Sequence, residues 1–120
     1  MKIAVTSSGA VPEASHDPRF GRAAYFMLFD TETNSWECHP NNQPCKSLKL
    51  AVMKAAELVI QLGAAVVISG HMGAKARRVL YENNIRLYRS AAPTVQEAVS
   101  AFQKGELPEI TALDYEKIWK

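Results

Sequence analysis

The chain has 120 residues and a mass of 13.3 kDa, is 48% apolar and 22% charged, and carries a formal net charge of +2. That size suits one compact domain, which buries roughly two thirds of the surface of its unfolded chain and needs no staples. The composition excludes a disordered chain. Two cysteines exclude a disulfide framework, and a pI near 8.6 is too mild for a nucleic-acid coat. No window approaches the roughly 20 continuous apolar residues of a membrane helix. The opening MKIAVTSSGAVPEASHDP turns polar too soon for a secretory signal. A cytoplasmic protein is expected, with neither membrane nor nucleic acid as partner.

Lys2 to Ser7 (KIAVTS) reads as a short apolar strand. It runs into a long loop, Ser8 to Arg22, which exceeds the usual connection length, as functional loops do. Ala23 to Phe29 (AAYFMLF) is an aromatic-rich strand. The polar turn DTETNS joins it to a second strand around Trp36 and Cys38, predicting a hairpin. After the loop HPNNQPCK, Ser47 is placed as N-cap of a first helix, and Gly63 ends it. Ala64 to Ser69 (AAVVIS) is apolar on both faces, as a central parallel strand must be. A second helix follows Gly70-His71-Met72-Gly73, turns Ala76, Val79 and Leu80 inward, and stops at Asn83-Asn84. Ile85 to Arg89 alternates as a strand. Thr94-Val95-Gln96-Glu97 is a capping box that opens a third helix, closed at Gly105. The remainder reads as an acidic tail, so the expected organisation is a domain over 1–107 and a tail over 108–120. A hairpin followed by alternating units predicts a mixed five-stranded sheet with three helices and the first strand beside AAVVIS.

Open α/β sheets take ligands beyond the carboxyl ends of their parallel strands. Three segments are expected to meet there: the loop Ser8 to Arg22, the turn Gly70 to Gly73, and Ser90 to Thr94. Two lead into helix N-termini, whose unpaired N–H groups favour anions. Side-chain charge agrees: five cations (Lys75, Arg77, Arg78, Arg86, Arg89) stand against one anion, Glu82, between residues 75 and 89, and Arg19 and Arg22 lie on the long loop. The pattern predicts a concave anion site rimmed by arginine, although Arg77, Arg78 and Arg86, each taken singly, read first as a solvated helix-and-strand face. His16, His71 and Met72 add imidazole and thioether donors suited to copper, iron or a metal sulfide. Met72 reads also as a plug over the core. Cys45, in the loop before the first helix, is a candidate ligand or a free thiol. Cys38 reads as a small buried hydrophobe. No GxGxxG, GxxxxGK(S/T) or GxSxG occurs. The strand ends carry no carboxylate pair of the kind a two-metal nuclease needs. Two further readings stay open: a small phosphate-handling or nuclease-like enzyme, and a regulatory protein-interaction module.

KIAVTSSG, SHDPRFGRAAYFMLFD, AAVVISGHMGAKARRVLYENNIRLY and TVQEAVSAFQKGEL, in that order, resemble the dinitrogenase iron–molybdenum cofactor biosynthesis family up to Leu107. Its most specific piece here is S-x-D-x-R-F-G-R-A, from Ser15, and its second is the strand ending in I-S-G-x-x-G. The resemblance implies a ribonuclease H-like mixed sheet without that enzyme's acidic site. It also implies a carrier, not an enzyme: noncovalent binding, carriage or assembly of an iron–molybdenum cofactor-like cluster, with a protein donor or acceptor. Stand-alone relatives in sulfate reducers imply an anionic molybdenum–copper sulfide cluster. Such a cluster is expected against Arg19, Phe20, Gly21 and Arg22, the turn Gly70, His71, Met72 and Gly73, and the loop with Ser90, Ala91 and Thr94.

Overall fold

A computed structural model describes residues 1–41 and 48–110. In chain order it contains β1 (Lys2–Ser7), β2 (Tyr25–Asp30), β3 (Ser35–Pro40), α1 (Leu48–Gln61), β4 (Val66–Ser69), α2 (Ala74–Glu82), β5 (Arg86–Arg89), α3 (Val95–Gln103) and β6 (Glu109–Ile110). The fold is mixed α/β, with three helices and one sheet among the described residues. The strand order is β3-β2-β1-β4-β5-β6. β1, β4 and β5 run parallel, while β2, β3 and β6 pair antiparallel with their neighbours. No described helix is long and apolar enough to cross a membrane.

Strand alternation sorts the core into two layers. Ala4, Phe26, Leu28 and Val67 point to one face, where Ala55, Ala56 and Val59 of α1 and Ala76 and Leu80 of α2 cover them. Ile3, Val5, Met27, Phe29, Val66 and Ile68 point to the other, under Val95, Ala98 and Val99 of α3. The central β1 and β4 are buried on both faces, which explains their unbroken apolar runs. Helix ends follow local chemistry. Thr94 accepts the Glu97 N–H on its hydroxyl at 3.2 Å, and Gly63 and Gly105 stand at φ +76° and +73° beyond α1 and α3. Asn84, at φ 62°, turns the chain after α2. Ser47 lies outside the described residues.

Two expectations are corrected. The sheet has six strands instead of five, because Glu109–Ile110 pairs with Leu87 and Tyr88 of β5. That strand lies in the segment read as a tail, and two residues are too short for alternation to register. Side chains hold it down. The Tyr81 hydroxyl donates to the Ile110 carbonyl, Arg86 forms two hydrogen bonds with Glu109 at 2.9 and 3.0 Å, and Ile110 is buried. The second correction concerns Arg77, which is buried beside Ala76 and Leu80 and belongs to no solvated face. Arg78 and Arg86 are exposed. Cys38 is half-buried, and that burial pushes its thiol pKa up.

Candidate functional site

The loop after β1 is anchored on the strand it leaves. The Asp17 N–H donates to the Thr6 carbonyl at 3.1 Å, and the Thr6 hydroxyl returns a bond to the Asp17 carbonyl. From there the loop meets both other expected segments. The His71 N–H donates to the Pro18 carbonyl at 2.8 Å, and the His16 N–H to the Pro93 carbonyl at 3.1 Å. Val95 and Gln96, opening α3, donate to the carbonyls of Ala14 and Pro12 at 3.0 and 2.9 Å. Glycine makes the closest approaches possible. A Cβ on Gly70 would stand 2.5 Å from the Pro18 Cβ, and one on Gly21 would stand 2.6 Å from Val52 Cγ2.

A cleft of about 620 Å³ opens at this edge. Its walls are Arg19, Phe20, Gly21 and Arg22 of the loop, Val52 and Met53 of α1, and residues 71–76 from the turn into α2. Three lining residues, Arg19, Arg22 and Lys75, are cationic, and none is acidic. Gly73 is the N-cap of α2 and supplies no side-chain hydrogen bond. Gly73, Ala74, Lys75 and Ala76 all line the cleft. Their N–H groups belong to the first turn, which has no intrahelical acceptor, and carry the positive end of the helix dipole. The apolar wall is fixed by packing: Phe20 is buried and meets Phe26 edge-on at 5.5 Å, and Met72 is buried in the α1/α2 core layer, plugging it, while it also lines the cleft.

Arg19 is not a lone cation. Its Nε and Nη2 donate to the two carboxylate oxygens of Asp17 at 3.1 and 3.0 Å, and its main-chain N–H donates to Asp17 Oδ1 at 2.9 Å. The guanidinium hydrogen bonds hold the Asp17 carboxyl below the usual carboxylate range, against the opposing effect of burial. The same pairing raises the Arg19 pKa.

The expected site residues therefore divide. Arg19, Phe20, Gly21, Arg22, His71, Met72 and Gly73 share the cleft, and Gly70 stands behind it against Pro18. Ser90, Ala91 and Thr94 are not among its walls: the Ser90 hydroxyl accepts the Ala92 N–H at 3.0 Å, and Thr94 caps α3. His16 is also outside the walls. It is buried, with Nδ1 2.9 Å from the Thr6 carbonyl oxygen and Nε2 without a hydrogen-bond partner among the described residues. Cys45 lies outside the described residues. Among these, no group of three or more His, Cys, Asp or Glu side chains is arranged to hold a metal ion. Sequence reasoning missed Val52 and Met53. Helical spacing assigns Val52 to the core and leaves Met53 beside it, with no local signal of which loop would face them.

A family model described as dinitrogenase iron-molybdenum cofactor matches residues 1–105. The chain belongs to that family. Solved structures related to this member of the dinitrogenase iron-molybdenum cofactor family agree. The apo form of the orange protein from Desulfovibrio gigas is 34% identical, with a TM-score of 0.85 over 91% of this chain and 92% of that one. A NifB-type protein from Thermotoga is 29% identical, with a TM-score of 0.77 over 92% and 93%. A dinitrogenase-related protein from Methanocaldococcus jannaschii, 20% identical with a TM-score of 0.63 over 92% and 94%, shares the fold. Among curated proteins none matches.

Proposed function

We propose that this protein binds and carries an anionic molybdenum-containing sulfide cluster, of molybdenum–copper or iron–molybdenum type, as cargo held noncovalently in the cleft. The observation that carries this reading is the cleft's lining. Three cations and the N-terminus of α2, where the N-cap Gly73 adds no side-chain hydrogen bond, surround an apolar wall with no carboxylate among the lining residues. A sulfide cluster is polarizable and multiply negative, so N–H donors and guanidinium groups suit its sulfur surface. Phe20, Val52, Met53 and Met72 would exclude water and strengthen each charge contact. His71 and Met72 supply soft donors for copper or iron, with His16 and Cys45 as further candidates. Membership of the cofactor family and likeness to the apo orange protein support the choice of cargo. The order β3-β2-β1-β4-β5 with an antiparallel β2 supports a ribonuclease H-like description. In this reading the protein is a cytoplasmic carrier, not a catalyst, that exchanges its cluster with a donor or acceptor protein.

The test is uptake. Apo protein mixed without air with tetrathiomolybdate and copper(I) is expected to become coloured and to retain molybdenum and copper after desalting. Protein that retains neither metal overturns the proposal. Arg22→Ala and His71→Ala, inside the cleft, are expected to lower retention more than Arg86→Ala, whose guanidinium is engaged by Glu109 away from it. Equal loss in all three would place the charge elsewhere.

A further inference from the structure

A buried carboxylate beside an anion site is a contradiction in charge, and Asp17 is such a group. It lies 8% exposed, one residue from the cleft wall's neighbour Pro18, and its repulsion should weaken any anion that Arg19 attracts. The geometry resolves the contradiction. The Asp17 N–H donates to the Thr6 carbonyl and the Asp17 carbonyl accepts from the Thr6 hydroxyl, so the backbone that carries the carboxylate is fixed to β1. The carboxylate grips Arg19 at three points, the main-chain N–H, Nε and Nη2, and the Arg19 side chain remains 66% exposed. A guanidinium has five N–H donors. Asp17 uses two of them, and three remain on Nη1 and Nη2, the end turned away from the carboxylate.

We infer that Asp17 is a positioning residue for anion capture: it clamps the Arg19 guanidinium so that the remaining N–H donors stand ready at the cleft, and it raises anion affinity despite its own negative charge. The inference rests on the reading of the cleft as an anion site. The clamp removes side-chain entropy that a mobile arginine would lose on binding. It also persists in the loaded state, because drawing Arg19 away would leave a buried carboxylate without its partner. The Asp17–Arg19 pair then acts as a fixed, nearly neutral hydrogen-bonding fork, in a lining that also holds Arg22 and Lys75 and no carboxylate.

The sign of one substitution tests this. Binding of tetrathiomolybdate alone is measured by anaerobic equilibrium dialysis with molybdenum analysis, on full-length protein whose fold is checked by circular dichroism. If Asp17 acted only through its charge, Asp17→Asn would tighten binding. As a clamp, its loss is expected to weaken binding on the order of tenfold, about 1.4 kcal/mol. Arg19→Lys keeps the charge and leaves Asp17 in place but cannot form the fork, so it is expected to weaken binding to a similar degree, and it keeps the test alive should Asp17→Asn not fold. In an Arg19→Ala background Asp17→Asn is expected to add nothing, whereas a merely structural role would still add its loss. Wild-type protein that binds no tetrathiomolybdate overturns the anion-site reading and this inference with it. Wild-type binding that Asp17→Asn or Arg19→Lys equals or exceeds, or further loss in the Arg19→Ala background, overturns this inference alone.

Discussion

Gly70 and Gly73 bracket His71 and Met72 under opposite constraints. Gly70 is pressed against Pro18, where a Cβ would lie 2.5 Å from the proline Cβ and 2.7 Å from its Cα. Gly73, at φ −70°, has nothing within 4 Å of an added Cβ. Gly70→Ala must push the loop off the turn, at a cost of about 1–3 kcal/mol. It should also disturb the His71 N–H bond to the Pro18 carbonyl, which fixes Arg19 relative to His71. Gly73→Ala meets no clash and should lose only the preference of an N-cap for glycine over alanine, about 0.5–1 kcal/mol. Urea denaturation of both variants decides, and equal stabilities would mean that the contact at Pro18 yields freely. A glycine-flanked His-Met pair is visible in the sequence and suggests close approach of some group. Which glycine faces a neighbour and which faces open space depends on Pro18, fifty-two residues upstream of Gly70.

At the scale of elements, the strand most in need of explanation is β6. Two residues of pairing provide little by themselves, and the exposed Arg86–Glu109 ion pair adds little in water. The hydroxyl of Tyr81, on α2, crosses to the Ile110 carbonyl, so the helix and the edge strand hold each other. Tyr81→Phe should cost about 1 kcal/mol. Its local sign should be faster exchange of the Arg89 amide, which donates to the Pro108 carbonyl at 3.0 Å, with the α1 amides unchanged. Unchanged protection at Arg89 would show that main-chain pairing and the burial of Ile110 suffice. The longer elements declare themselves by period and punctuation. β1 is legible to the residue, Gly63 and Gly105 mark the ends of α1 and α3, and Thr94 caps α3 as its side chain requires.

For the whole molecule, the two core layers have different duties. The layer containing Met72, Ala76 and Leu80 seats α2, whose N-terminus floors the cleft, while the layer under α3 lies on the opposite face of the sheet. Leu80→Ala should destabilise by about 2–5 kcal/mol and should also lower thiomolybdate–copper retention at temperatures where the variant stays folded, because α2 loosens against the sheet. Val99→Ala, in the α3 layer, should lower stability and leave retention intact. Parallel loss of retention in both would tie the cleft to global stability instead of to the seat of α2. The cleft sits beyond the carboxyl ends of β1 and β4, as expected for an open sheet. Of the three segments expected there, parts of the loop and the turn line the cleft, whereas the segment 90–94 is not among its walls, and its main-chain and capping bonds set it against the long loop beside α3.

By itself the sequence determined the three helices, five of the strands, their central parallel pair and the positive sign of the edge where the loop meets α2. Each of these is legible from residues close in the chain: apolar periodicity, a cap, a glycine stop, and the cations Arg19 and Arg22 of the long loop with Lys75 opening α2. Tertiary structure alone decided that α1 contributes Val52 and Met53 to the cleft, that Arg77 is buried, that Glu109–Ile110 closes the sheet, and that Asp17 grips Arg19 instead of facing water. The reason is physical: local preferences select the elements, but the layers stack by burying area, which is non-directional, so the facing of distant side chains emerges only once the whole chain has packed.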